Sequence, residues 1–494
     1  MAESKYYVTI GLEIHAELKT QTKMFCACKN DPDENRPNTN VCPVCTAHPG
    51  ALPVPNKKAI ENVIKVGLAI GGSIADFTEF DRKNYFYPDI PKGYQISQYK
   101  FPIVTGGHLA GMDVTRVHLE EDTGTNKHID SPQVRLVGNT HKSDLWEEGY
   151  SLIDFNRAGV PLMELVTEPH TFESAEEAAK KASHFAKEFQ LILWYLDVSE
   201  ANMEKGEMRV EVNISITRDP KVFGTKVEVK NLNSFRSVER AIKYEAERMT
   251  KLLDAGKGEE IVQETRGWDD SKQATFSQRK KESSHDYRYF PDPDLPKMML
   301  HEAFDLEQMK KELPELPEEK RERYKNEFGI KDEDIESYIN DLTLGKWFEE
   351  VVPLLKNKDW IQIASNYITS DYLGIKKSNS LAKLPSPKNF AELINLVAEN
   401  SISSRVAKNI LAIIVIHDES PEKIAAEKNL LQAYDEDSSV EFIKKIIEAN
   451  PKIVADYKGG KANALMSLVG IIMKETDGTA NPQVAKKLLE ELLK

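Results

Sequence analysis

The chain contains 494 residues, of which 40% are hydrophobic and 30% are charged, and its formal net charge is −14. This length is too great for one hydrophobic core, so we expect two or three domains. The longest apolar run covers only residues 410–416, too few to span a membrane, so no membrane partner is expected. The negative charge argues against indiscriminate nucleic-acid binding but allows a local RNA-binding patch, and it suits a cytoplasmic protein that holds cations.

Residues 8–18 alternate strictly between apolar and polar side chains, which predicts a strand with one buried face. The apolar face consists of Val8, Ile10, Leu12, Ile14, Ala16 and Leu18, and the polar face of Thr9, Gly11, Glu13, His15 and Glu17. The mixture of carboxylates and a histidine favours a functional face, although many half-buried sheets have a polar face that is only solvated.

All four cysteines lie in one short window, as Cys26, Cys28, Cys42 and Cys45. Two close pairs separated by roughly 13 residues can place four thiolates around Zn²⁺ in a tetrahedron. Four protein ligands leave no open position for substrate, so we expect a structural zinc site. Two disulfides or four buried thiols are the alternatives.

Two aromatic segments, residues 82–91 and 286–296, each combine aromatic and basic residues and end in a Pro-Asp turn. They could form two stacking walls for an adenine or for a tRNA end. The alternative is a pair of packed edge strands that leave the sheet through proline turns. Between them, residues 115–124 contain Glu120 and Glu121, which face opposite sides of a regular strand, so both could serve one site only at a bulge or turn.

The remaining elements of the N-terminal half predict an α+β fold. Ser174 and Glu177 form a capping box ahead of an apolar stripe made of Ala182, Phe185, Phe189, Ile192 and Leu196. Residues 208–216 again alternate, with Arg209, Glu211, Asn213 and Ser215 on the polar side, and residues 226–230 place Lys226, Glu228 and Lys230 opposite two valines. We expect a mostly antiparallel sheet with helices on one face.

Helical periodicity dominates beyond residue 296. We predict a catalytic domain over residues 1–296, a helical connector over 297–380 and a small helical tail domain over 381–494. The last helix should be capped by Asn481, begin at Pro482 and present Val484, Leu488 and Leu492 as one stripe.

The polar sheet face could hold Mg²⁺ or Mn²⁺, because carboxylate oxygens and an imidazole are suitable ligands. The candidate ligands are Glu13, His15, Glu120, Glu121 and Glu211, and the candidate clamps for phosphoryl oxygens are Arg82, Lys83, Arg209 and Lys230. Any of these cations could instead form a simple surface ion pair. The sequence contains neither a Gly-x-x-x-x-Gly-Lys-Ser/Thr loop nor a Gly-x-Ser-x-Gly elbow, so a nucleotide would bind through metal ions, and another chain would hydrolyse any amide donor.

Eight further segments resemble one family. They are residues 11–18 (GLEIHAEL), 81–89 (DRKNYFYPD), 94–98 (YQISQ), 118–122 (HLEED), 154–159 (DFNRAG), 230–235 (KNLNSF), 264–268 (ETRGW) and 286–291 (DYRYFP). The chain is similar at these positions, and nearly end to end, to the B subunit of aspartyl/glutamyl-tRNA amidotransferase. Residues 456–461, 469–474 and 478–482 resemble the tRNA-contacting tail of that subunit.

The resemblance implies a core similar to glutamine synthetase that binds ATP and divalent metals. It implies phosphorylation of the side-chain carboxylate of Glu misacylated onto tRNA(Gln), or of Asp on tRNA(Asn). Ammonia would come from a glutaminase A subunit, with a small C subunit clamping A to B. The implied catalytic and Mg²⁺-binding residues are Glu13, His15, Glu120, Glu121 and Glu211, with Arg209 as a further catalytic residue, and the implied ATP-binding residues are Arg82, Lys83, Asn213, Lys230 and Arg288.

Two other classes of protein remain open. One is a stand-alone ATP-dependent carboxylate–amine ligase, which would need no RNA-binding tail. The other is a non-catalytic tRNA-binding scaffold. Scattered basic residues of the C-terminal half motivate RNA binding, although such residues are usually solvated: Lys376, Lys377, Arg405, Lys408, Lys458, Lys461 and Lys474.

Overall fold

The computed structural model describes residues 6–129, 150–280, 287–428, 430, 436–476 and 482–493. The chain divides into two compact units, Met1–Leu316 and Pro317–Lys494. The first is a sheet covered by helices and the second is helical, so the predicted α+β class is confirmed. Among the described residues, no helix combines the length and apolar character that crossing a bilayer requires.

The bounds of the strands of the first unit are β1 Tyr7–Glu17, β2 Ser73–Ile74, β3 Phe77–Thr78, β4 Asp81–Asn84, β5 Tyr94–Ser97, β6 Val104–Thr105, β7 His108–Leu109, β8 Met112–Glu121, β9 Thr125–Ile129, β10 Tyr150–Asp154, β11 Pro161–Thr167, β12 His170–Phe172, β13 Met208–Thr217, β14 Val227–Leu232, β15 Glu264–Asp269, β16 Ala274–Lys280, β17 Phe290–Pro291 and β18 Met298–Met299. The longest strands of the first unit are β1, β8 and β13, with 10 or 11 residues each, and the other described strands have at most 7.

The main sheet has the order β16-β15-β14-β13-β1-β11-β8-β6-β2, with β12 also paired to β1 and β7 to β8. Its pairings are antiparallel except between β14 and β15, which confirms the predicted mostly antiparallel sheet. Three smaller sheets accompany it, with the orders β10-β9, β17-β4-β5 and β18-β3.

Three long helices pack on the apolar face of the sheet: α1 Lys57–Ala69, α2 Ala175–Tyr195 and α3 Phe235–Asp254. Burial follows the predicted alternation, since the inward residues of β1 are at most 3% exposed. Ser174 caps α2 by accepting a hydrogen bond from the Glu177 amide at 3.2 Å. The Glu177 carboxylate accepts a hydrogen bond from the Glu173 amide rather than from the Ser174 amide. Of the two hydrogen bonds of the predicted capping box, only the one accepted by Ser174 therefore forms.

The first unit ends later than the predicted boundary at residue 296. Strand β18 pairs with β3, and Leu300, which begins the short helix α4 (Leu300–Ala303), is fully buried in the core of the first unit. A further helix, α5 (Leu306–Lys311), also precedes the division at Leu316. The chain therefore leaves the first unit only after its core is covered. The predicted separation at residue 380, like the likeness to glutamine synthetase, stays a prediction.

The second unit consists of helices joined by short 3₁₀ and π-helical turns. Their bounds are α6 Pro317–Arg323, α7 Asp332–Ile339, α8 Leu342–Val351, α9 Ile361–Asn366, α10 Leu373–Ser378, α11 Pro387–Ala398, α12 Ser404–His417, α13 Pro421–Glu427, α14 Glu436–Ala449, α15 Pro451–Lys458, α16 Ala462–Glu475 and α17 Pro482–Leu492. Helices α14, α16 and α17 pack around a core centred on Leu468 and Leu489.

The last helix begins at Pro482 as predicted, whereas Asn481 lies outside the described residues. Its buried side is shifted by one residue from the predicted stripe. Ala485 and Leu489 are buried, while Leu488 and Leu492 are partly buried at the edge of the core. The apolar face of an amphipathic helix is wide enough to include both the row of Ala485 and Leu489 and the row of Leu488 and Leu492, so the sequence pattern does not fix which row lies at the centre of the contact.

Candidate functional site

Strand register brings the polar residues of five strands onto one face of the main sheet. Glu13 of β1 lies opposite Glu211 of β13, and His15 lies opposite Glu164 of β11. Glu164 lies in turn opposite His118 of β8. Because side chains alternate along a strand, residues aligned in this way point to the same face.

A three-carboxylate cluster occupies one part of this face. Oxygens of Glu13, Glu211 and Glu228 all lie within 4.8 Å of one another. The Asn213 side chain donates a hydrogen bond to Glu13 Oε1 at 2.7 Å, and Lys230 Nζ donates to Glu211 Oε2 at 2.7 Å. Asn213 and Lys230 were both predicted to bind ATP, and the structure places both beside the three carboxylates.

The charge of the three-carboxylate cluster is only partly balanced. Burial raises the pKa of Glu13, and the carboxylates of Glu164, Glu211 and Glu228 raise it further. Burial alone would lower the pKa of Lys230, but Glu211 and Glu228 outweigh it and the net pKa is raised. A cation bound here would therefore relieve repulsion that one lysine leaves in place.

A histidine–carboxylate cluster lies beside the first and consists of His15, Glu120 and Glu164, whose candidate ligand atoms also fall within 4.8 Å. His15 Nε2 lies 3.3 Å from Glu164 Oε2 and 4.0 Å from Glu120 Oε2. His118 Nε2 completes the arrangement at 3.4 Å from Glu164 Oε2 and 3.7 Å from Glu120 Oε1.

Titration in this cluster is set by pairing rather than by burial. Burial would lower the pKa of His15, yet Glu164 raises it to about 9. Burial would raise the pKa of Glu164, but His118 and His15 lower it to about 2. The pKa of Glu120 is well below its usual value because Lys83 and His118 outweigh the effect of its burial. The cluster therefore keeps its carboxylates ionised, as ligands of a divalent cation must be. It also favours a protonated His15 at neutral pH, so a cation that binds His15 must displace that proton.

Glu120 is fixed by residues of β4 and β5. Ser97 Oγ donates to Glu120 Oε1 at 2.6 Å and Gln95 Nε2 donates to Oε2 at 3.0 Å. Lys83 Nζ lies 3.6 Å from Oε1. The predicted clamp Lys83 is thus placed at the histidine–carboxylate cluster, on the small sheet rather than on the main one.

The donor set fits a hard divalent cation. Each cluster offers carboxylate oxygens, and one adds an imidazole nitrogen, the ligand types that Mg²⁺ and Mn²⁺ accept. Two buried polar atoms beside the clusters, Asn213 Oδ1 and His118 Nδ1, have no hydrogen-bond partner among the residues that the structure describes. Orphaned buried polar atoms are uncommon, and they mark a place for water or a ligand.

Glu121 lies outside both clusters, although the sequence predicts it as a metal ligand. The pairing of β8 with β11 stays regular through Glu120 and Glu121, and its register shift falls near Val166 instead. Successive side chains therefore point to opposite faces. Glu121 accepts hydrogen bonds from Lys92 Nζ at 2.5 Å and from the Ile96 amide at 2.9 Å, which makes it a link between β8 and β5.

None of the other three predicted cations pairs with a carboxylate of either cluster in the described structure, although Arg209 lies opposite His15 in the sheet. Arg209 donates to Asp122 at 2.8 Å, and Arg82 donates to the buried Asp292 at 2.7 Å while its guanidinium covers Tyr94. Arg288 is exposed and has a left-handed backbone with φ 46°. Their proposed contacts with phosphoryl oxygens stay predictions.

Sequence reasoning missed Glu164, Glu228 and His118 as members of the clusters. Glu164 had a signal, because it is the one charged residue in the otherwise apolar strand Pro161–Thr167. Glu228 was visible on the polar side of its strand, but only pairing with β13 brings it near Glu211. Gln95 and Ser97 lie in the segment 94–98 that resembles the family, but no pattern in the sequence shows that they reach Glu120 from a different sheet.

The four cysteines are gathered as predicted. All are free, and their sulfurs lie within 4.8 Å of one another. Cys42 Sγ and Cys45 Sγ are 3.8 Å apart, close to the separation of about 3.8 Å that tetrahedral zinc–sulfur bonds of about 2.3 Å impose. Hydrogen bonding from the Cys26 thiol lowers the pKa of Cys45 to about 5, which favours the thiolate that a metal needs.

The two aromatic segments pair with each other. Phe290 of β17 lies opposite Arg82 of β4, so the segments form neighbouring strands of the small sheet, as the edge-strand interpretation requires. Their tyrosines nevertheless remain grouped on one side, at the margin of the histidine–carboxylate cluster.

Comparison with known proteins agrees with this architecture. Residues 8–305 match the family model described as the GatB/GatE catalytic domain, and residues 346–493 match a second one described as the GatB domain. The sheet unit is thus a GatB/GatE-type catalytic unit. The B subunit of the aspartyl/glutamyl-tRNA(Asn/Gln) amidotransferase from Caldicellulosiruptor bescii is 43% identical over 504 residues, covering 99% of both chains.

Two further relatives carry the same name. The Thermotoga maritima protein is 43% identical over 503 residues, covering 99% of both chains. The Rippkaea orientalis protein is 41% identical over 510 residues, covering 100% of this chain and 98% of the relative. The chain therefore belongs to the family of aspartyl/glutamyl-tRNA(Asn/Gln) amidotransferase B subunits.

Proposed function

We propose that this protein uses ATP to convert the side-chain carboxylate of misacylated Glu-tRNA(Gln), of Asp-tRNA(Asn), or of both, into an amide. A carboxylate oxygen attacks the γ-phosphorus of ATP, the bond to the bridging oxygen breaks, and ADP leaves. Ammonia then attacks the acyl carbon and loses a proton, and inorganic phosphate leaves as the carbon–oxygen bond breaks. Activation is needed because a free carboxylate is a poor acyl donor.

One observation carries the proposal: two clusters suited to divalent cations share one sheet face, each beside a half-buried lysine. Residues 13 and 15 are neighbours on that face of β1, so the clusters are separated by only about 7 Å along the strand. This spacing suits a triphosphate that must be held on one side and a carboxylate acceptor on the other.

The chain's own residues would hold and orient the reactants. Glu13, Glu211 and Glu228 would bind one ion, and His15, Glu120 and Glu164 a second. When bound, Mg²⁺ neutralises phosphoryl oxygens and joins them to the protein. Lys230 and Lys83 would place fixed positive charge at the edges of the two clusters, where charge on the transferring group needs to be stabilised.

The nitrogen would come from another chain. All four thiols lie in one cluster and the sequence has no serine-hydrolase elbow, so this chain lacks an evident nucleophile for glutamine hydrolysis. The relatives are named as B subunits, which fits a glutaminase A subunit and a C subunit as partners. Ammonium chloride should replace the A subunit in an assay.

Reconstitution tests the function directly. The chain, purified with its partner subunits, is incubated with ATP and Glu-tRNA(Gln) or Asp-tRNA(Asn), and ADP release and amide formation are measured. We expect both products to depend on the misacylated tRNA. Amidation of free glutamate would instead identify a stand-alone ligase, and tRNA binding without ADP release would identify a scaffold.

Seven basic residues were predicted to contact tRNA, and ion pairing narrows this set. Lys376, Lys408 and Lys461 are paired with carboxylates at 3.8, 2.7 and 2.9 Å. Within the described part of the chain, no ion pair involves Lys377, Arg405, Lys458 or Lys474. We propose these four as the better candidates for phosphate contacts, because no carboxylate of the described residues competes for their charge. Replacing a residue that contacts a phosphate should lower the salt dependence of tRNA affinity.

The cysteine cluster should bind zinc. We expect the purified chain to contain about one zinc ion, and Cys42→Ser combined with Cys45→Ser to lower this below about 0.2 and to lower the thermal midpoint. Elemental analysis and a thermal melt measure both effects. Val44→Ala, in the same loop but without a ligand atom, should keep the metal. Zinc-free protein whose mass under non-reducing conditions reveals two disulfides would contradict the expectation.

A further inference from the structure

Five tyrosines form a continuous row in the segments that flank the strands of the small sheet β17-β4-β5. The ring centroids of Tyr87 and Tyr85 are 5.8 Å apart, those of Tyr85 and Tyr287 are 6.0 Å, and those of Tyr287 and Tyr289 are 6.1 Å. Tyr289 then stacks on Tyr99 at 4.5 Å with an interplanar angle of 11°. We call these residues the tyrosine row.

The backbone holds the row in place. Asn84 donates hydrogen bonds from its side chain to the carbonyl oxygens of Tyr287 and Arg288, at 3.1 and 3.0 Å. These bonds lock the turn at Arg288, whose positive φ is unfavourable for a residue with a side chain. A strained residue that is fixed in this way is characteristic of functional sites, because it sets the positions of its neighbours.

The row has both ends at the protein surface and its middle beside the histidine–carboxylate cluster. Its two ends are open, since Tyr99 is 53% and Tyr87 is 49% exposed. Its middle is tied to the cluster: the Tyr85 hydroxyl donates to Gln95 Oε1 at 3.2 Å, and Gln95 donates to Glu120. Lys83, which neighbours Glu120, lies 5.4 Å from the Tyr287 ring centroid.

Positive charge accompanies the row in a strongly acidic chain. Lys100 follows Tyr99, and Arg288 separates Tyr287 from Tyr289. Both are exposed, and neither forms an ion pair with any residue that the structure describes. Both cations are therefore available for an anionic ligand.

We propose that the tyrosine row binds the unpaired 3′ nucleotides of the aminoacyl-tRNA by base stacking and so delivers the aminoacyl group to the face that carries Glu120 and Glu13. This inference rests on the proposed function and names the part of that substrate which the row would recognise. Aromatic rings interleaved with cations are the usual means of binding single-stranded nucleic acid without reading its sequence.

The extent of the row distinguishes this occupant from the adenine of ATP. A single adenine requires one or two rings, whereas here five rings follow one another and both ends reach solvent. A polynucleotide end also explains why one cation follows the exposed Tyr99 and another separates Tyr287 from Tyr289, since each nucleotide brings a phosphate.

The test uses misacylated tRNA whose terminal adenine is replaced by fluorescent 2-aminopurine, mixed with the chain assembled with its partner subunits. Stacking on tyrosine should quench the fluorescence. We expect Tyr287→Ala and Tyr99→Ala to abolish quenching and to raise KM for tRNA about 5- to 100-fold. Tyr287→Phe keeps the ring and should behave like the wild type. Because Tyr99 is exposed, Tyr99→Ala should fold normally, so the same effect in both variants would not come from misfolding of the Tyr287 variant.

The outcomes separate this inference from the proposed function. Equal quenching and equal KM in the wild type and both alanine variants would overturn the inference while amide formation stands. Loss of quenching on adding ADP, with tRNA still bound, would assign the row to ATP and also overturn it. Quenching that depends on Tyr287 and Tyr99 in an assembly that forms no amide would support the row and sink the proposed function.

Discussion

Replacing Glu13 with glutamine should lower the rate of tRNA-dependent ADP release by about 10²- to 10³-fold, because one charged ligand of the three-carboxylate cluster is lost where transferring phosphoryl charge must be stabilised. The same variant should be at least as stable as the wild type in metal-free buffer. Burial and neighbouring carboxylates raise the pKa of Glu13, so its ionised form is disfavoured in the folded protein at neutral pH. Glutamine removes that cost and can still accept the bond from Asn213.

Single-turnover assays and urea unfolding measure the two effects. Glu17→Gln is the matched control, because Glu17 is buried on the same face of β1 but lies outside both clusters. Its ADP release should stay within about threefold of the wild type. Affinity for tRNA should be unchanged in both variants. Normal ADP release by the Glu13→Gln protein would show that the three-carboxylate cluster does not take part in phosphoryl transfer.

The second large effect is expected at Glu120. Glu120→Ala should lower the free energy of unfolding by about 3–5 kcal/mol, because it leaves Lys83 largely buried without its counter-charge. Activity should be abolished as well. Because a metal ligand and a structural carboxylate would both lose stability and activity in this variant, a second variant is needed to distinguish them.

A double-mutant cycle resolves this ambiguity. Lys83→Met together with Glu120→Ala removes both charges, so part of the lost stability should return, with a coupling energy of about 1–3 kcal/mol. ADP release should stay absent in the double variant, and calorimetric titration should show loss of Mg²⁺ binding. Recovery of activity along with stability would mean that Glu120 serves only to hold Lys83.

Pattern-based prediction worked best where one strand or helix decides the outcome alone. The alternation in β1 correctly separated Ile10 and Leu12 from Glu13 and His15, because burial of one face imposes a period of two residues. It was less successful where two adjacent residues compete. Alternation shows that Glu120 and Glu121 face opposite sides of a regular strand, but it does not tell which of them shares a face with Glu13, and the structure places Glu120 there.

The sequence by itself determined the sheet-forming segments, the amphipathic helices, the grouping of the cysteines and, through its motifs, membership of the family. Each of these depends on local spacing and propensity. Only the tertiary structure decided which carboxylates meet. Glu164 and Glu228 join the clusters through pairing with β1 and β13, and Gln95 reaches Glu120 from another sheet. The physical reason is that strand order and register follow from burying the apolar faces of the whole unit together, and no short segment carries that information.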